Sequence, residues 1–175
     1  MTAAATASQE SLKQHLNVTG GFQLKGTFRV SGAKNSALVL MTASLLTEDC
    51  VELVNIPNLT DICSMSEILE SLGVQVTRDS DRISLTASNL NGSNPPYELV
   101  NSLRASFFSI GPLLGRLGQA KVPLPGGCRI GARPVVEHIR GLKSLGAVVN
   151  VEHGIVTASL PGTRKRLRGA QIVLD

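Results

Sequence analysis

Ser71-Leu72-Gly73-Val74 returns as Ser144-Leu145-Gly146-Ala147, an offset of 73 residues, and each copy is followed by the same kind of sequence. After the first, Val74 to Thr77 and Ile83 to Ala87 alternate apolar and polar around Asp79-Ser80-Asp81, a pattern that predicts a hairpin. After the second, Val148 to Val151 and Ile155 to Ser159 do so around His153-Gly154. Upstream of the first copy, Ile62, Met65, Leu69 and Leu72 recur at helical spacing, which predicts a helix over 60–72 with Thr60 or Asp61 as its cap and Gly73 as its stop. Upstream of the second, Val135, Ile139, Leu142 and Leu145 do the same over 134–145.

Reading further outward completes each copy. Gly26 to Ser31 is expected as a strand, Ala33 to Leu46 as a mostly apolar helix and Cys50 to Asn55 as a strand. After the loop Asn91 to Pro96, a strand is expected at Tyr97 to Val100, a helix at Leu103 to Leu117 and a strand at Gln119 to Leu124. The unit is βαβαββ, present as repeat one (26–88) and repeat two (97–160). Residues 167–175 read as the opening strand of a third copy, an ending that suggests a fold truncated after two units. Residues 1–15 are expected to be a disordered tail, and 16–175 a partial α/β domain.

Composition narrows the function. A chain of 175 residues with 42% hydrophobic content can bury a core, and its apolar stretches are broken well short of the ~18 residues of a membrane span. The Ala/Thr/Ser-rich start lacks the basic and apolar blocks of a secretory signal. A plastid transit segment is the alternative there, against which the absence of Arg from residues 1–14 counts. Cys50, Cys63 and Cys128 are odd in number and contain no C-x-x-C pair, which argues against a disulfide framework or a zinc site and for a reducing, cytoplasmic setting. The net charge of +4 favours anionic ligands, whereas 3% aromatics leave few stacking platforms for nucleic acid. The run Arg164, Lys165, Arg166 and Arg168 reads as a solvated loop.

Three constellations can carry chemistry. Ser31-Gly32-Ala33-Lys34-Asn35 is a strand-to-helix turn that brings a Lys and the free N–H groups of a helix start to one place, a setting for phosphate or carboxylate as well as for an ordinary exposed Lys. Leu124-Pro125-Gly126-Gly127-Cys128-Arg129-Ile130-Gly131-Ala132-Arg133-Pro134 carries a cysteine and two arginines into a second helix start, where Pro134 fits the first turn. Cationic neighbours lower a thiol pKa, so Cys128 is expected to be functional. Cys50, opening a strand, and Cys63, within a helix, are expected to be core residues. Arg104 occupies in the second copy the place of Lys34 in the first, and His138 lies on the helix after Arg133.

Ser-Gly-Ala-Lys-Asn (31–35), Leu-Arg-Ala-Ser (103–106) and Leu-Pro-Gly-Gly-Cys-x-Ile-Gly-Ala-Arg-Pro-Val (124–135), in order and in register, resemble the motifs of the UDP-N-acetylglucosamine enolpyruvyl transferases. The resemblance runs from about Leu16 to Asp175. It implies a fold in which six βαβαββ units form two inside-out α/β barrels, of which this chain holds two units and the start of a third. It also implies transfer of the enolpyruvyl group of phosphoenolpyruvate to the 3-hydroxyl of UDP-N-acetylglucosamine, with no metal or organic cofactor. By the same resemblance Lys34 and Asn35, with Arg133 nearby, hold phosphoenolpyruvate. Arg104, Arg133, Pro134, Val135, Val136 and Glu137 hold the nucleotide sugar, and Cys128 is the proton donor. The family often carries Asp where this chain has Val136, which leaves the backbone as the contact there. The sister transferase acting on shikimate 3-phosphate lacks the Pro-Gly-Gly-Cys loop. The resemblance further places a carboxylate for the sugar hydroxyl and another Arg in the second barrel, so the chain is expected to need that missing C-terminal half. A nucleotide-sugar-binding remnant without turnover is the alternative from another class.

Overall fold

The structure, a computed structural model, describes residues 16–125, 135–163 and 166–173. Each repeat folds as helices laid on a three-stranded sheet. In the first, α1 (Lys34–Ala43) runs into a 3₁₀ turn (Ser44–Leu46), followed by β1 (Cys50–Leu53), α2 (Thr60–Ser71), β2 (Gln75–Asp79) and β3 (Arg82–Thr86). The second contains α3 (Tyr97–Ser102), a 3₁₀ segment (Arg104–Ser109), α4 (Ile110–Leu117), β4 (Gln119–Pro123), α5 (Val136–Ser144), β5 (Val148–Glu152) and β6 (Ile155–Ser159). The sheets have the same topology, β1-β3-β2 and β4-β6-β5, with both neighbours antiparallel to the central strand.

The repeat survives at the level of backbone angles. Gly73 and Gly146 both end their helices at positive φ, +94° and +88°, a region that glycine alone enters at no steric cost. Ile62, Met65, Leu69 and Leu72 are fully buried, so the predicted stripe is the face that α2 turns to the core. Burial of each such side chain stabilises by about 1.5–3 kcal/mol. One core runs through both repeats, because α1 packs on the 3₁₀ segment Arg104–Ser109, α4 on the turn Ser44–Leu46, and α2 on α3.

Arg116 fastens the repeats together. From the last turn of α4 its Nη1 donates to the carbonyls of Leu45 (3.0 Å) and Thr47 (2.8 Å), while Nη2 reaches Glu48 at 3.2 Å. The side chain is only 14% exposed, so its removal strands two carbonyls that close the first repeat's helical segment. Arg116→Met should therefore lower unfolding free energy by about 2–3 kcal/mol in urea titrations. A loss below about 0.5 kcal/mol would show that the fastening is dispensable.

Several expectations are corrected. Tyr97 to Val100 is helical, not a strand: Pro96 precedes it at φ −57°, Glu98 suits the first turn, and Val100 and Leu103 are both buried, so a helical spacing prevails over alternation. The helix expected over 103–117 divides at Ser109/Ile110. Pro112 has no N–H to donate, and its ring would collide with the carbonyl four residues back. Gly26 to Ser31 forms no ladder with any described strand, and Phe22, Leu24, Phe28 and Val30 are 73–93% exposed. Residues 166–173 likewise contain no strand, and among the described residues Arg168 ties them by its N–H to the Leu145 carbonyl at 2.9 Å. The cap expected from Thr60 or Asp61 is absent: Leu59 holds the cap position, with no side-chain bond. Cys50 and Cys63 are exposed, not core. Cys63 follows the buried Ile62 and so falls off the apolar stripe, where its sulfur accepts a hydrogen bond from Arg78 Nη1 at 3.4 Å.

Candidate functional site

The two helix starts converge. Gly32 precedes α1 at a point where the chain passes against Asn55 just beyond β1; a Cβ on Gly32 would lie 1.9 Å from the Asn55 carbonyl oxygen. Asn55 itself has φ +59°, so strand end and helix start are shaped to meet. Lys34 is thereby set at the first position of α1, where the first-turn amides have no partners within the helix. The corresponding place in the second repeat belongs to Arg104, opening its 3₁₀ segment after α3.

Between them lies a cleft of about 520 Å³, bordered by Lys34, Asn35, Arg104, Pro125, Val135 and His138 and floored by Leu38 and Phe107. Lys34 Nζ is ion-paired with Asp61 Oδ2, from the first turn of α2. Among the described lining residues Lys34 and Arg104 are cationic and Asp61 is anionic, and apolar walls strengthen the electrostatic interactions of an entering anion. The imidazole of His138 packs edge-on against Phe107 (centroids 5.7 Å apart, planes at 87°) and tilted against Phe108 (6.1 Å), joining α5 to the 3₁₀ segment.

Of the residues expected at the site, Lys34, Asn35, Arg104 and Val135 line this cleft together. Val136 turns to solvent, and Glu137 borders a neighbouring apolar groove of about 400 Å³ between α4 and α5. Cys128, Arg133 and Pro134 lie outside the described residues; Pro125 and Val135, which flank their loop, both border the cleft. The cleft residues that sequence reading did not assign to the site include Asp61 and the apolar Leu38, Phe107 and Phe108. Asp61 had a visible signal, an acidic residue at a helix start, but its partner is 27 positions away. Among the described residues no cluster of His, Cys, Asp or Glu is arranged to hold a metal ion, and no helix is long and apolar enough to cross a membrane.

The fold is that of an enolpyruvyl transferase, in part. It superposes on the enolpyruvyl transferase NikO from Streptomyces tendae with a TM-score of 0.69 at 22% identity, over 85% of this chain and 32% of that one. Residues 18–175 match the family model of EPSP synthase (3-phosphoshikimate 1-carboxyvinyltransferase), and the chain belongs to that family. Among its relatives are proteins named UDP-N-acetylglucosamine 1-carboxyvinyltransferase, 82% identical in Synechococcus sp. (strain CC9605) and 68% identical in Parasynechococcus marenigrum (strain WH8102). Both matches cover all of this chain and 40% of the relative, so the chain spans about two fifths of the length of these relatives.

Proposed function

We propose that this chain forms part of a cytoplasmic transferase that moves the enolpyruvyl group of phosphoenolpyruvate to the 3-hydroxyl of UDP-N-acetylglucosamine, a step toward peptidoglycan. The observation that carries the proposal is the cleft itself, which gathers Lys34, Asn35 and Arg104 from two repeats beside Pro125 and Val135. The names of the relatives favour the nucleotide sugar over shikimate 3-phosphate as acceptor, as does the Pro-Gly-Gly-Cys loop. In domain terms, repeat one supplies Lys34 and Asn35 and repeat two supplies Arg104, Cys128 and the segment Arg133 to Glu137.

Phosphoenolpyruvate carries a phosphate and a carboxylate, and the ammonium of Lys34, the amide of Asn35 and the guanidinium of Arg133 offset that charge. The Cys128 thiol gives its proton to the methylene carbon, and the adjacent carbon becomes electrophilic. The sugar 3-hydroxyl adds there and loses its proton to a base. The carbon–oxygen bond to phosphate then breaks, a proton leaves the new methyl group, and the double bond is restored. Arg104 and the backbone from Val135 to Glu137 hold the pyrophosphate-linked sugar during these steps. The base for the hydroxyl and a second arginine belong, on this reading, to the remaining length seen in the relatives.

Titration calorimetry should show UDP-N-acetylglucosamine binding at least tenfold more tightly than shikimate 3-phosphate. An equal or reversed preference would remove the acceptor assignment. Phosphate release from phosphoenolpyruvate, dependent on UDP-N-acetylglucosamine, is expected from a chain of the relatives' length carrying this segment and not from residues 1–175 alone. Binding without release in the longer chain would mark a nucleotide-sugar-binding module instead.

A further inference from the structure

Asp61 is placed unusually for a first-turn aspartate. A carboxylate at that position can accept hydrogen bonds from its own helix's free amides, yet α2 begins without any side-chain cap. The carboxylate instead crosses to α1 and pairs with Lys34 Nζ. Both groups border the cleft, with side chains 43% and 36% exposed, so an entering anion meets the pair and not a lone ammonium.

We propose that Asp61 is a positioning residue for Lys34, holding the ammonium at the cleft so that an incoming phosphate or carboxylate finds it already in place. The inference rests on the reading of the cleft as an anion site. A lysine side chain has four rotatable carbons and an ammonium with three donors. One donor satisfies Asp61, and the other two remain for the ligand. Asp61 thus opposes anion binding by its charge and favours it by restricting Lys34, and the two effects have opposite signs. In the positioning role restriction is the larger one, because the pair is already formed before the ligand arrives and the ligand does not have to order the side chain itself.

The sign makes the test decisive. The 175-residue chain, labelled with ¹³Cε-lysine, is titrated with phosphoenolpyruvate and separately with inorganic phosphate, with Lys34→Met used to identify the Lys34 signal. In the parent chain that signal should shift saturably. In Asp61→Asn it should start closer to the signals of unpaired lysines, and the dissociation constant should rise about two- to fivefold, the range expected of an exposed ion pair. Asp61→Glu should restore affinity to within twofold, and thermal melting should be the same for all three. Saturable binding in the parent with equal or tighter binding in Asp61→Asn would overturn the positioning role while leaving the cleft reading intact. No shift in the parent would overturn the cleft reading, and the role of Asp61 with it.

Discussion

Gly73→Ala should cost about 3 kcal/mol of stability, while Gly141→Ala should leave the protein unchanged or firmer by about 0.5–1 kcal/mol. Gly141 lies within a helix and Gly73 just past the end of one, and by helix propensity alone alanine is the better residue at each. Gly73 has φ +94°, and a Cβ there would stand 2.4 Å from the carbonyl oxygen of Asn89 and 3.0 Å from the amide nitrogen of Asn91. Neither is a flexible side-chain end. The chain after β3 is held at this point, with the Asn91 N–H donating to the Leu72 carbonyl at 3.1 Å, so relief of the clash would break that bond. Gly141 lies inside α5, and nothing stands within 4 Å of its added Cβ. Urea unfolding of the two variants beside the parent measures both. A loss under 1 kcal/mol at Gly73 would mean that the loop 88–92 yields easily and that the repeated turn is not held by backbone contact.

The second large effect concerns Cys128. Cys128→Ala in a chain of the relatives' length should lower sugar-dependent phosphate release by roughly a hundred- to ten-thousandfold, the usual contribution of a placed general acid, while binding of UDP-N-acetylglucosamine changes less than threefold. The exposure of Cys50 and Cys63 shapes the companion measurement. Since Cys50 and Cys63 are both open to alkylation, rates must be compared residue by residue by mass spectrometry under native conditions. Cys128 should react first, because arginines follow it closely in sequence at 129 and 133. Faster labelling of Cys63, whose sulfur meets the Arg78 guanidinium, would shift the reactive thiol to α2.

Where local pattern and global packing agree, the fold was legible. The stripe Ile62, Met65, Leu69 and Leu72, the stop at Gly73 and both hairpins depend on neighbours within a few residues, and the structure has them where the periodicities put them. Tyr97 to Val100 misled because four residues with apolar side chains at 97, 99 and 100 satisfy alternation and helical spacing about equally, and the decision falls to Val100 packing together with Leu103. Gly26 to Ser31 has a clean alternation, but a strand exists only with a partner, which no property of the segment itself can supply. A place within a helix points Cys63 to the core, whereas burial follows the face and not the element. Lys34, Asn35 and Arg104 were read as cations and amide at helix starts, a local feature. That two such starts, 70 residues apart, border one cleft is a tertiary fact, and the carboxylate of Asp61 between them follows only from it.

The close passage of Gly32 over the Asn55 carbonyl bears on how this segment can drift in sequence. The start of α1, two residues before Lys34, rests main chain on main chain, while Ala37, Leu38, Met41 and Thr42 seat the rest of the helix in the core. Val39 and Leu40 can be exchanged for other residues over many generations without displacing the ammonium, since neither takes part in that seat. A single added methyl group at position 32 would lift the helix start and carry the lysine with it. The lysine's seat is therefore exposed to one of the smallest substitutions the chain can undergo.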